Sequence, residues 1–424
     1  MESSTSDQVD VGSATWLGTD EYENDSEFTQ RANNFLRDTK WDRLISVCCE
    51  LGHSKCRLSE KFSIGHFNMV RQVVFDDGKS WIVRLRMPDL DDSSAHQDVK
   101  RALSSEVACM KFLKERTSVP VPEVYGLEIE ANEVGAPYII MEYIPGTVAS
   151  ELQELIDAPV YQFGTAEQDQ KFRQRMAAIQ VEMASFKFDK IGSLYQDPQT
   201  GEFYIGPDCQ TGQGPWESPL EYYRDIANQK LEECLRNAPE EVRDDYSFSL
   251  PVLFERLITM HTEEISVPGP FGLAHSDFGA HNLLVNEHFE ILAVIDFDGV
   301  ISAPIEVQAQ FPSLTGLDVE PPFRIATKPL VIQRINLTKV KLEEYKCMVQ
   351  AHEREMGAGE NTIKSQRCLG DLLLSEASAL ITGLQAYGMH QDFVNQMWMQ
   401  SFSRLLRRKL ASRIRKLECL EEDS

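Results

Sequence analysis

Two periodicities divide the chain. Between residues 28 and 55, Phe35, Leu36, Trp41, Leu44, Ile45, Val47 and Cys48 recur at helical spacing, which predicts a helical extension. From 56 onward the apolar runs become short and turn-bounded. Phe62 to Phe75 reads as strand, turn, strand, with Gly65 and Asn68 in the turn region, and Asp76-Asp77-Gly78-Lys79 marks a second turn before the strand Trp81 to Arg86. Ser104 to Leu113 returns to helical spacing through Val107, Met110, Phe112 and Leu113, and Pro120 and Pro122 end that stretch. Tyr138 to Tyr143 is an apolar strand running into the break Pro145-Gly146.

Beyond that break helices predominate. Phe172, Met176, Ile179, Met183 and Phe186 form one face of a helix over 166–186, and further helices are predicted over 216–241, 252–265, 338–355, 362–387 and 391–418. The last is basic, from Arg404 to Lys416, and reads as a solvated face with ion pairs to an acidic body in preference to a membrane-binding helix. Gly192 to Pro207 reads as an inserted hairpin turning at Asp197-Pro198-Gln199-Thr200-Gly201. The first 27 residues are acidic and rich in Ser and Thr, the composition of a disordered tail.

Composition narrows the class. A chain of 424 residues with 42% hydrophobic and 26% charged residues is ordinary for a globular enzyme of two lobes. Its net charge of −25 speaks against nucleic acid as a partner and suits either plain solubility or attraction of a cationic small molecule. Nine scattered cysteines without zinc spacing suit a reducing cytoplasm, and no apolar run reaches the roughly 18 residues of a membrane span.

The chemistry sits in His275-Ser276-Asp277-Phe278-Gly279-Ala280-His281-Asn282 and, one hairpin later, Val294-Ile295-Asp296-Phe297-Asp298. Phosphoryl transfer needs a positioned hydroxyl and phosphate charge neutralised by a metal on oxygen ligands. Asp277 is placed to orient the acceptor hydroxyl and take its proton. Asn282 and Asp296 are the expected oxygen ligands for Mg²⁺, and His275 is expected to brace the loop. Arg84 and Arg86 share one face of their strand, so spacing leaves open which of them serves the nucleotide phosphates. Glu106 is the natural partner for that cation, or only a carboxylate near a helix start.

These motifs resemble the aminoglycoside phosphotransferase and choline kinase superfamily of small-molecule kinases. Ser276 after the histidine, and Asp298 where protein kinases carry glycine, favour the small-molecule branch. The resemblance implies an α+β, two-lobed, protein-kinase-like fold. Its N-lobe over 56–144 would be a small antiparallel sheet with one helix, and its C-lobe over 145–424 large and mainly helical. It also implies ATP held at the hinge by the Glu142 carbonyl and the Ile144 amide, Gly65 near the phosphates, Asn68 capping that loop, and Arg84 as the phosphate cation. The hairpin at 192–206 resembles one common in fungal members. Ile301 to Pro304 stands where protein kinases carry a long activation segment, so loop phosphorylation is not expected. Two alternatives stay open: a non-catalytic nucleotide-binding scaffold, suggested by the single loop glycine and the missing strand lysine, and a protein Ser/Thr kinase. The acceptor and the oligomeric state have no readable pattern.

Overall fold

The computed structural model describes residues 11–88, 98–157, 159–237, 249–265, 269–357, 368–387 and 392–422. Two helices come first, α1 (Glu27–Asp38) and α2 (Trp41–Gly52), followed by β1 (Cys56–Ile64), β2 (Asn68–Phe75), β3 (Ser80–Arg86), α3 (Val99–Arg116), β4 (Val124–Glu128) and β5 (Tyr138–Glu142). The strands form one antiparallel sheet in the order β1-β2-β3-β5-β4. Because side chains alternate across a strand, this sheet serves two cores. Met69, Val73, Trp81, Val83, Leu85 and Ile140 pack under α1 and α2 with Phe35, Leu44 and Cys48. Ile139 and Met141, on the opposite face, pack with Leu103, Val107, Met110 and Leu113 of α3.

After Pro145-Gly146 come β6 (Thr147–Val148), α4 (Ala149–Leu155), α5 (Ala166–Ala184), β7 (Gly192–Gln196), β8 (Phe203–Gly206), α6 (Pro219–Asn237) and α7 (Ser249–Ile265). The chain continues through β9 (Gly272–His275), β10 (Leu283–Val285), β11 (Ile291–Val294), β12 (Val300–Ala303) and α8 (Ile305–Gln308). It ends with α9 (Pro329–Gly357), α10 (Leu369–Leu372), α11 (Glu376–Ala386) and α12 (Asp392–Glu422). The architecture is the expected two-lobed α+β fold, with two small sheets set into the helical lobe, β11-β10-β6 and β8-β7-β12-β9. The hairpin β7–β8 is no loose insertion: β7 pairs with β12, which pairs in turn with β9, the strand leading to Asp277.

Four expectations need correction. Residues 11–27, expected to be disordered, form two short 3-10 turns, Gly12–Thr15 and Gly18–Glu21, before α1 begins; residues 1–10 of that tail lie outside the described residues. Helix α3 starts at Val99 with Asp98 as its N-cap, so Glu106 is mid-helix and no dipole at a helix start accounts for it. The helix predicted over 362–387 is two, α10 and α11, divided where the Ser375 side chain accepts the Ser378 N–H as a new N-cap; 362–367 lie outside the described residues, as do 238–241 of the helix predicted from 216. The Gly65 N–H is capped by the Asn68 main-chain carbonyl at 2.8 Å, not by the Asn68 side chain.

The basic stretch of α12 meets the body as expected. Arg404 donates to the Phe323 carbonyl at 3.0 Å, Arg408 lies 4.4 Å over the Phe323 ring, and Lys409 pairs with Glu376 at 3.4 Å.

Candidate active site

A short loop between β9 and β10 carries Asp277. Its amide donates to Nδ1 of His275 at 3.3 Å, and the Asn282 side-chain NH₂ donates to its carbonyl at 3.0 Å and its Oδ2 at 3.3 Å. Asn282 is buried, and with its NH₂ so engaged, Oδ1 is the end left for a ligand. His281 Nε2 sits 2.9 Å from Asp277 Oδ2. Its buried Nδ1 has no partner among the described residues, and Nε2 is the nitrogen turned to the carboxylate.

Electrostatics around the loop keep Asp277 ionised and His275 neutral. Desolvation pushes the Asp277 carboxyl up, but the His281 bond and charge, then His275 and Asn282, pull it below the usual carboxylate range. Burial drives the His275 ring down to about 4, so at neutral pH its Nδ1 is free to accept the Asp277 amide.

The second acidic loop comes after β11. The Ile295 N–H donates to the Asn282 carbonyl at 3.0 Å, so main chain ties the two loops together. Asp296 then adopts φ +61°, a left-handed turn that aspartate tolerates better than most residues, and its side chain is 50% exposed where Val294 before it is fully buried. Gly299 closes the turn at φ +75°. A Cβ there would lie 2.7 Å from Ser276 Oγ and 2.9 Å from Gln210 Nε2, side-chain ends that could swing aside, so it is the left-handed φ that calls for glycine.

Arg84 reaches this loop from the small lobe. Its guanidinium pairs with Glu106 and lies 4.0 Å from Asp296 Oδ1. Desolvation lowers its affinity for the proton, and Glu106, Asp296 and Asp298 together raise it back above the ordinary arginine value. Arg86 shares the strand face but not the site: its guanidinium stacks 4.3 Å over the Phe67 ring. At the hinge, the Glu142 N–H donates to the Glu123 carbonyl at 2.8 Å, and the Ile144 carbonyl accepts the Gly146 N–H at 2.8 Å. Gly65 has room beside it, since a Cβ there would meet nothing closer than the Asn68 carbonyl at 4.0 Å.

The fold therefore brings Asp277, Asn282, Asp296, Arg84 and Glu106 to one place, with His275 behind the loop. Asp298 lies 3.9 Å from the Cys209 thiol, and its charge still acts on Arg84. Sequence reading passed over His281 and Gln210. His281 carries a local signal, four residues after Asp277, whereas Gln210 comes from the segment after the inserted hairpin and carries none. A groove of about 1080 Å³ between α5 and α9 is lined by none of these residues, so the chemistry rests on the side-chain cluster and not on cavity size.

Several known proteins are similar to this chain. It is 24% identical over 328 residues to a subtelomeric hrmA-associated cluster protein of Aspergillus fumigatus, covering 62% of this chain and 61% of that protein. It is 24% identical over 319 residues to Altered inheritance of mitochondria protein 9, mitochondrial, of Kluyveromyces lactis, covering 60% and 50%. It is also 21% identical over 270 residues to Clavilactone A biosynthesis cluster protein Y of Ampulloclitocybe clavipes, covering 59% and 62%. The chain thus spans about three-fifths or less of these curated relatives. Among solved structures, the apo form of a thermostable mutant of aminoglycoside phosphotransferase APH(4)-Ia overlies it with TM-score 0.45 at 14% identity, covering 86% of this chain and 99% of that one. A macrolide 2'-phosphotransferase type I does so with TM-score 0.44 at 13% identity, covering 86% and 96%. Among the described residues, no helix is long and apolar enough to cross a membrane. A family model described as Phosphotransferase enzyme family matches residues 60–305, from β1 to the first residue of α8 and more than half the chain, with every residue of the cluster inside it; the chain belongs to that family.

Proposed function

We propose that the protein transfers the γ-phosphate of ATP to a hydroxyl of a small molecule in an Mg²⁺-dependent reaction. The observation that carries this reading is the juxtaposition of the two tethered loops with Arg84. Asn282 turns its NH₂ onto Asp277 and keeps Oδ1 for a ligand, while the half-exposed Asp296 carboxylate on the tethered loop lies 4.0 Å from the buried, Glu106-held guanidinium of Arg84. An amide oxygen and a carboxylate are the hard donors Mg²⁺ prefers, so the residues present fit the ion. When bound there, the metal would neutralise charge on the nucleotide phosphates.

Each protein group then has a role. Arg84, fixed by Glu106, offers donors to phosphate oxygens. Gly65 lets main chain approach the phosphates, and the Glu142 carbonyl and Ile144 amide receive the adenine edge. Asp277 Oδ accepts the hydrogen of the acceptor hydroxyl; that oxygen attacks the γ-phosphorus, the bond to the β,γ-bridging oxygen breaks, ADP departs, and the proton ends on Asp277. A carboxylate held below its usual range is a weak base but a permanent anion, which suits orienting the hydroxyl and taking its proton late. His281 orients Asp277, and Asp298 is a secondary candidate. The net charge of −25 favours a cationic acceptor, and a polyol belongs to the reading as the other hydroxyl-bearing class. A cytoplasmic location belongs to the proposal on composition alone.

Isothermal calorimetry with ATP, with and without Mg²⁺, tests the reading. Wild type should bind Mg²⁺-ATP more tightly than free ATP, and Asp296→Ala should lose that difference. Equal affinities in wild type and variant would sink the assignment.

A further inference from the structure

The segment before α1 lies outside the family match, yet it touches both sides of the cleft. On β2, Val70 and Gln72 stand opposite Arg84 and Ile82 of β3. Residues directly opposite in an antiparallel pair share a face, so Gln72 lies on the face that carries Arg84 toward Asp296. Residues 11–22 come round the free edge of β1. Gly18 packs on the Phe62 ring, Lys61 donates to the Ala14 carbonyl at 2.6 Å, and Ser13 then arrives beside Gln72.

There the segment is bonded to both lobes. The Ser13 hydroxyl donates to Gln72 Oε1 at 3.3 Å and lies 3.2 Å from the Tyr143 hydroxyl, which also accepts the Ser13 N–H at 3.4 Å. The buried Gly12 N–H donates to Thr147 Oγ1 at 2.6 Å. Gly12 holds φ +61°, and a Cβ on it would stand 3.0 Å from the Tyr143 hydroxyl, so the close approach to the hinge requires glycine.

We infer that residues Gly12–Thr15 form a wall of the nucleotide site at its purine end, spanning from β2 to the hinge and slowing departure of a bound purine nucleotide. This rests on the proposed ATP site. The hinge residues Tyr143 and Thr147 flank the Ile144 amide assigned to adenine, and Gln72 stands opposite Ile82 on the sheet face that carries Arg84. The phosphates, at Arg84 and Asp296, lie at the other end, so the wall acts on the base and not on the phosphate chain.

Stopped-flow with a fluorescent ADP carrying its label on the ribose tests this on the full chain, using wild type, Gly12→Val, Ser13→Ala and Thr147→Val. Gly12→Val should accelerate nucleotide dissociation roughly fivefold to tenfold, with Ser13→Ala and Thr147→Val smaller but in the same direction, and association little changed. Inhibition of labelled-ADP binding by Mg²⁺-tripolyphosphate, which has no base, should be the same in all four proteins. Unchanged dissociation in every variant that keeps the apo melting temperature of wild type overturns the wall. Tighter nucleotide binding in the variants overturns it too, because the segment would then be a plug. A wild type that binds no nucleotide at all removes the ATP reading first and the wall with it, so the two failures are distinguishable.

Discussion

His281 Nε2 lies 2.9 Å from Asp277 Oδ2, so the candidate base is held by a histidine four residues further along its own loop, while His275 accepts the Asp277 main-chain N–H. That contact divides the pH behaviour of the site between two imidazoles.

Asp277 must be deprotonated to work, so turnover should fall as pH drops through its folded pKa, which lies below the usual aspartate range. Near neutrality it contributes no limb. His281→Ala removes the strongest influence lowering that pKa and leaves desolvation to raise it, so the acid limb of kcat/KM should move to higher pH. An unmoved limb would mean that His281 does not set the state of Asp277.

Asp277→Asn keeps the shape and removes the basicity. General-base assistance is worth about 10² to 10⁴-fold, and turnover should drop by roughly that factor while the Kd for ATP stays near wild type. Slow hydrolysis of ATP to water serves as the first assay until an acceptor is known. Unchanged turnover on a substrate confirmed for the wild type moves the weight to a non-catalytic nucleotide-binding protein.

Arg84 and Arg86 make a paired test of strand β3. Arg84→Ala should weaken ATP binding far more than Arg86→Ala, because only Arg84 is near Asp296 and Arg86 is spent on Phe67. Leaving Glu106 buried without its partner should also lower stability by about 3–5 kcal/mol, read as a fall in the urea midpoint. Glu106→Gln in the Arg84→Ala background should recover part of that stability without restoring ATP affinity, which separates the two roles.

His275 gives a stability signature. Its folded pKa of about 4 is below the ordinary histidine value, so between pH 4 and 6.5 the unfolded chain binds more protons. The contribution is fully present above 6.5 and is lost as pH falls toward 4, with a slope of about 1.4 kcal/mol per pH unit. His275→Gln should flatten the denaturation free energy across that window by the same amount. Parallel curves for the two proteins would contradict a buried neutral ring.

Much of the site was legible because its parts lie close together in sequence. Asp277 and Asn282 share one loop, and Asp296 comes one hairpin later, so local spacing carries the geometry. The choice between Arg84 and Arg86 was not legible: period-two alternation puts them on one face, and only the positions of α3 and Phe67 separate them. Helix α3 began earlier than the pattern read from Ser104, because Ser104-Ser105 interrupts the apolar spacing although Ala102 and Leu103 before it are buried and Asp98 caps the start. The acidic N-terminal stretch looked disordered because composition registers mean hydropathy, whereas order there comes from two glycines in left-handed turns and a few hydrogen bonds to distant residues. Gln210 belongs to the same class, a contact made by a long-range return of the chain.

The small-lobe sheet is covered on both faces, and the outer cover is α1 and α2, which precede the family match. A chain begun at residue 56 would leave Met69, Val73, Val83 and Leu85, all fully buried here, as a continuous greasy surface beside the open edge of β1. Such surfaces drive self-association, so the shortened protein should precipitate or form soluble aggregates even with its whole catalytic cluster intact. For this protein the limit of homology is not the limit of the folding unit, and any shortened version meant for solution work should begin before residue 27.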